Sequence, residues 1–186
     1  WASRNCSIAA GAAPSPAEVT AECLVFASLR GVDSHGLQLL TFYLDQLSDG
    51  RVDGKGRGRV LSESGACLHF DGENALGQVV SAQCADAAAR LAREHGLGLA
   101  VARESNHFGA AAFWGQRIAR QGMIAVVLCN ASPAVAPWQA REARWGTNPI
   151  CCAVPPPEGS GADEAVWLLD MATTTVAAGR IRNKAN

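Results

Sequence analysis

Hydrophobic positions first keep helical spacing and then gather into short apolar runs. Ser15-Pro16-Ala17-Glu18 has the form of a capping box with proline at the first helical position, which predicts a helix from Ser15. Val19, Cys23, Phe26 and Ala27 continue it and Gly31 ends it. Beyond Gly36, the spacing of Leu37, Leu40, Leu44 and Leu47 predicts a second helix that stops at Asp49-Gly50, its start capped by Asp33 or Ser34. Short strands are predicted near 59–61 and 66–70, with a turn at 71–74.

The rhythm then changes. A helix over 78–94, a strand over 97–103, a helix over 110–121 and a strand over 123–129 lead into a proline-rich loop, followed by short strands near 150–154 and 166–169. The runs 97–103 and 123–129 are apolar on both faces, as in strands inside a helix-covered sheet. Alternating helix and buried strand indicates an α/β layer structure. The expected organisation is an N-terminal helical segment with short strands at 1–74, then a mixed-sheet α/β domain over 75–186. The run 155–164 has linker composition but is short enough for a surface loop.

Composition narrows the function classes. Hydrophobic residues are 48% and charged residues 18% of the 186, which suits a packed fold and not a disordered chain. The net charge of −1 argues against polyanion binding, and the basic stretch at 54–59 reads as a solvated turn, so no nucleic acid is expected. The seven cysteines are odd in number and irregular in spacing, without a zinc-ligand pattern, so a reducing, cytoplasmic setting and no metal are expected. No apolar stretch is long enough to span a membrane. The start at Trp1 and the polar run at 179–186 read as the ends of a fragment.

Two of the four histidines sit in similar frames, RGVDSHG at 30–36 and SNHFG at 105–109. His107 follows a strand and precedes a helix, where open α/β sheets hold ligands and an imidazole can exchange a proton near neutral pH. The structural alternative is a helix-start residue bonded to nearby backbone. His35 admits the same two readings, with a place in the first turn of the second helix as the structural one. His95 reads as a helix C-terminal residue and His69 as the polar face of a strand. Asp170, ending a strand before 171–175, either accepts bonds from cofactor hydroxyls or caps a helix. The loop 131–149, with its prolines, tryptophans and arginines, is long enough to suggest a role, as a wall for a planar ligand or as an oligomer arm. Neither common glycine-rich phosphate fingerprint is present.

Five ordered pieces, RGVDSHG, SNHFG, SPAVAPW at 132–138, GTNP at 146–149 and LDMATT at 169–174, resemble the malate/L-lactate dehydrogenase family across nearly the whole chain. That family is distinct from the Rossmann-type lactate dehydrogenases and includes ureidoglycolate, sulfolactate and diketogulonate enzymes. The resemblance implies a non-Rossmann α/β fold binding NAD or NADP. It implies that His35 and His107 face the substrate, with Ser34 beside the first. It places Asp170, Met171, Ala172, Thr173 and Thr174 along the cofactor, together with Ala131 or Ser132 and the turn Gly146, Thr147 and Asn148. Where some members carry a carboxylate-clamping arginine, this chain has Leu39 after Gln38, so Arg30, Gln38, Arg141 and Arg144 become candidates for the substrate carboxylate.

The implied activity is hydride transfer between NAD(P) and C2 of a small L-2-hydroxy acid or 2-oxo acid, with His107 as acid–base group and His35 orienting the same oxygen. A homodimer is implied as well. The alternatives are a non-catalytic remnant acting in dimerisation or ligand binding, and a reductase of cyclic 2-imino acids.

Overall fold

Residues 2–159 and 166–175 are described by the computed structural model, so the linker-like run lies partly, and the polar run 179–186 wholly, outside the described residues. A short helix that the spacing did not predict, α1 (Ala2–Ala9), precedes α2 (Pro14–Leu29). The capping box is not used. Helix α2 starts at Pro14, its N-cap is Ala13, and no side chain caps it. Proline supplies the helical φ and has no N–H to satisfy, so the start needs little further help. At the other end the Gly31 and Val32 N–H groups turn back onto the carbonyls of Ser28 and Ala27.

The second predicted helix is shorter than its leucine spacing suggests. Two 3₁₀ turns, Asp33–His35 and Leu37–Leu39, lead into α3 (Leu40–Ser48), and neither Asp33 nor Ser34 caps it by a side-chain bond. Gly36 explains the break. A Cβ there would meet Ser28 Oγ at 2.2 Å, and the same Oγ accepts the Leu37 N–H at 2.9 Å, so the turn is drawn onto α2. Helix α3 then buries Tyr43 and Leu47 rather than an unbroken leucine stripe.

Strands β1 (Arg59–Ser64) and β2 (Cys67–Asp71) pair antiparallel, and β2 pairs parallel with β3 (Leu99–Arg103) after a crossover through α4 (Gly77–His95). Helix α4 ends where Gly96 takes a left-handed conformation, φ 79°. After α5 (Ala111–Ala119), strands β4 (Ala125–Leu128), β5 (Ile150–Val154) and β6 (Trp167–Met171) form an antiparallel sheet in chain order. The mixed α/β expectation is met.

The burial expected for β3 and β4 is not. Both are sheet edges among the described residues, and Leu99, Val101, Val126 and Leu128 are exposed. Apolar runs record which residues tolerate burial, whereas strand order decides which are covered. No helix follows β6 within 172–175.

The chain divides into two compact units, residues up to Phe113 and residues from Trp114 onward. The 74/75 boundary expected from sequence falls inside the first, between β2 and α4. In this unit Ala17 and Leu24 of α2 pack with Tyr43, Leu47, Leu76 and Val79, while Leu68 and Phe70 of β2 pack with Val80 and Leu91 of α4. In the second, Ala119, Ala125 and Ala153 form a small core. No helix among the described residues is long and apolar enough to cross a membrane.

Candidate active site

His107 rides on the loop between β3 and α5, and three contacts set that loop. The Asn74 N–H donates to the Glu104 carbonyl at 3.0 Å. Asn106 Nδ2 donates to the carbonyls of Asn74 and Ala75. Gly77, at the start of α4, has no room for a side chain, because a Cβ would meet the carbonyl oxygens of Asn106 at 2.1 Å and His107 at 2.5 Å. The loop therefore lies directly on backbone.

That placement brings the two motif histidines together. The His35 and His107 rings stack with centroids 5.7 Å apart and planes 29° from parallel. Ser34 Oγ lies 3.0 Å from His35 Nδ1. Tyr43 Oη lies 2.6 Å from His107 Nδ1, and the Gly109 N–H donates to the same nitrogen at 3.3 Å. Phe42 stands edge-on to His107 at 6.3 Å. A cavity of about 30 Å³, room for one water-sized group, opens between Phe42, Tyr43, Gln46, Leu76 and His107.

His107 titrates below the ordinary imidazole range, at about 4, because protein crowds the ring and because His35 stands beside it. The residue as a whole is nonetheless exposed, and solvent works against the shift. Burial pushes the Tyr43 hydroxyl and the Cys23 thiol up, so both stay neutral at working pH. A neutral imidazole stacked on a second one, with a phenol behind it, can accept and return a proton.

The other candidates fall elsewhere. Arg30 stacks on Phe26, its guanidinium carbon 3.6 Å from the ring centroid. Gln38 is exposed on its 3₁₀ turn. In the second unit, a cavity of about 640 Å³ is lined by Ala131, Arg144, Gly146, Asn148 and Thr173 among others. Asn148 Oδ1 accepts the Ala131 N–H at 2.9 Å, and the Thr147 carbonyl accepts both the N–H and the hydroxyl of Thr173. The GTNP turn thus joins the end of β4 to the end of β6. Arg144 also pairs with Glu142. Ser132, Thr147, Asp170, Met171, Ala172 and Thr174 are not among the lining residues, although Asp170 and Met171 end β6 in register with Cys151 and Ile150. Arg141 is exposed on the same loop and is not a lining residue.

A dinucleotide site needs a cleft of several hundred Å³ with fixed donors and at least one cation. The volume, the backbone walls and Arg144 meet that need.

Sequence reasoning missed Tyr43, Asn106 and Gln78. Leu40, Tyr43 and Leu47 keep helical spacing, which was the available signal for the tyrosine. For Gln78, a polar residue on an alanine-rich face, no signal marked it as wholly buried. Among the described residues no cluster of histidine, cysteine, aspartate or glutamate could hold a metal.

The chain matches the malate/L-lactate dehydrogenase family over residues 2–186. It is 39% identical to the malate dehydrogenase of Pyrococcus horikoshii over 165 residues, covering 89% of this chain and 44% of that protein. The solved structure of that enzyme superposes with a TM-score of 0.90 over 96% of this chain and 50% of the other. The chain is 38% identical to the (2R)-3-sulfolactate dehydrogenase (NADP(+)) of Chromohalobacter salexigens over 89% of its length and 48% of the relative. The Δ1-piperideine-2-carboxylate reductase of Pseudomonas syringae superposes with a TM-score of 0.88 at 31% identity, over 98% of this chain and 53% of the other. The chain thus spans about half the length of the relatives it matches. With its two motif histidines stacked in one unit and its GTNP turn bordering a cleft in the other, it belongs to the malate/L-lactate dehydrogenase family.

Proposed function

We propose that the whole protein is an NAD(P)-dependent oxidoreductase acting at C2 of a small 2-hydroxy acid or 2-oxo acid, with His107 as its acid–base group. The observation that carries this reading is the stacking of His35 on His107, which aims two imidazoles from distant motifs at one place. In the second unit, Ala131, Gly146, Asn148 and Thr173 line the cleft that would hold the cofactor, which when bound would supply hydride chemistry; Ser132, Thr147, Asp170, Met171, Ala172 and Thr174 stay candidates by their place in the motifs.

His107 takes the hydroxyl proton in the oxidative direction and returns it in reduction. Its low pKa keeps it neutral and able to accept at working pH. His35, held by Ser34, orients the same oxygen. Arg144, which lines the second unit's cleft and pairs with Glu142, is our candidate partner for an anionic ligand group, whereas Arg30 is drawn onto Phe26. Gln38 and Arg30 remain candidates for the carboxylate by their closeness in sequence to the SHG turn.

A homodimer and a cytoplasmic setting belong to the same proposal, the second supported by seven free thiols. The likeness to a piperideine-carboxylate reductase favours a second reading, reduction of a cyclic 2-imino acid, which uses the same proton donor. Turnover of pyruvate, oxaloacetate and a cyclic imino acid by the full-length protein separates the two. If none is reduced and NADH fluorescence is unchanged on mixing, the dehydrogenase reading fails and the binding or dimerisation remnant takes its place.

A further inference from the structure

The small cavity beside His107 has a floor and a rim of different character. Tyr43, Val52 and Leu76 are buried and form the floor. Phe42 and His107 are exposed, line the same space and stand edge-on to each other. The space is therefore a dead end whose mouth lies at the proposed acid–base group. Half-buried Gln46 forms part of the wall between floor and rim. The volume, about 30 Å³, admits one group the size of a water molecule, and a methyl group is of that size.

Charge narrows the occupant further. Among the described residues that line the cavity there is no lysine or arginine, and its histidine is neutral at working pH. The polar groups at hand are engaged elsewhere. The Tyr43 hydroxyl meets His107 Nδ1, and Asn106 Nδ2 donates to the Asn74 and Ala75 carbonyls. A carboxylate entering this space would give up its water and gain no cation, whereas a methyl group gains by leaving water. Covalent connectivity puts such a group within reach. In a 2-oxo acid the carbonyl oxygen facing His107 is separated from C3 by a single carbon, and the acid's own carboxylate, the other group on that carbon, points away.

We propose that this cavity is the subsite for the C3 group of the substrate and selects a 2-oxo or 2-hydroxy acid whose C3 is an uncharged methyl over a dicarboxylic acid. The inference rests on His107 being the acid–base group. Phe42 limits size, because its ring forms the exposed rim. Gln46 leaves the wall uncharged at the position where a longer basic side chain would reach the mouth. A cyclic 2-imino acid carries a ring where C3 must enter, so the same cavity disfavours it.

The test compares kcat/KM for pyruvate, 2-oxobutyrate and oxaloacetate in the full-length protein supplied with reduced nicotinamide cofactor. Pyruvate is expected to lead, with a loss of about tenfold or more for the added methylene of 2-oxobutyrate and for the second carboxylate of oxaloacetate. Phe42→Ala, at an exposed position, is expected to cut the pyruvate preference over 2-oxobutyrate by about fivefold or more. Gln46→Arg is expected to raise oxaloacetate relative to pyruvate by about tenfold, with circular dichroism confirming the fold of both variants. The subsite is overturned by a wild-type preference for oxaloacetate or 2-oxobutyrate, or by ratios unchanged in either variant, as they would be if the cavity held only water. Those outcomes leave the dehydrogenase reading standing. Turnover of none of the three acids sinks the 2-oxo acid reading and the subsite with it.

Discussion

The rings of His35 and His107, 72 positions apart in the chain, lie 5.7 Å apart and nearly parallel. Their approach needs the SHG turn drawn onto α2 and the SNH loop lying on the start of α4, so a change at either support should be felt at both rings.

Removing the proposed acid–base group gives the most direct test. His107→Ala in the full-length enzyme should lower kcat by about 10²–10⁴-fold while the fold persists, measured by steady-state NADH oxidation and circular dichroism. A variant retaining near-wild-type kcat would transfer the role to His35.

The low pKa of His107 makes a signed pH prediction. Its folded value, about 4, lies below its unfolded value of 6.5, so the unfolded state binds the proton more readily between them. The contribution to stability is complete above 6.5 and is lost as pH falls toward 4. Thermal melts from pH 7.5 to 4 should show wild type losing more stability than His107→Gln, and parallel curves would contradict the shift.

Ser34→Ala removes the hydroxyl 3.0 Å from His35 Nδ1. The loss of one neutral hydrogen bond corresponds to roughly a two- to tenfold fall in kcat/KM. Cofactor affinity, followed by NADH fluorescence, should not change.

Gly77→Ala places a methyl group against two carbonyl oxygens of the histidine loop. Overpacking of this kind costs about 1–3 kcal/mol and should appear as a lower melting temperature and faster amide exchange in residues 104–109. Unchanged melting would mean the loop can move aside.

Asn148→Ala frees the Ala131 N–H and loosens the join between the GTNP turn and the end of β4. NADH binding, followed by fluorescence, should weaken by about three- to tenfold.

Much of the architecture was legible because local rules dominate where elements are regular. The strands near 59–61, 66–70, 150–154 and 166–169 and the alanine-rich helix ending at His95-Gly96 each follow from patterns within a few residues. The failures have different causes. The capping box at Ser15 lost to a proline start at the neighbouring Pro14. The leucine stripe from Leu37 was broken at Gly36 by the approach to Ser28, and the apolar strands at 97–103 and 123–129 became exposed edges through strand order, both set by residues outside the local pattern.

By itself the sequence determined the order of helices and strands, the two histidine frames and the family they mark, because spacing and motif are properties of the chain. Only the tertiary structure decided that the two imidazoles stack and that Tyr43 meets Nδ1. It alone shows that Gln78 is wholly buried. Those are relations between elements, and hydrogen-bond partners across an interior are set by how backbones approach, which no local pattern encodes.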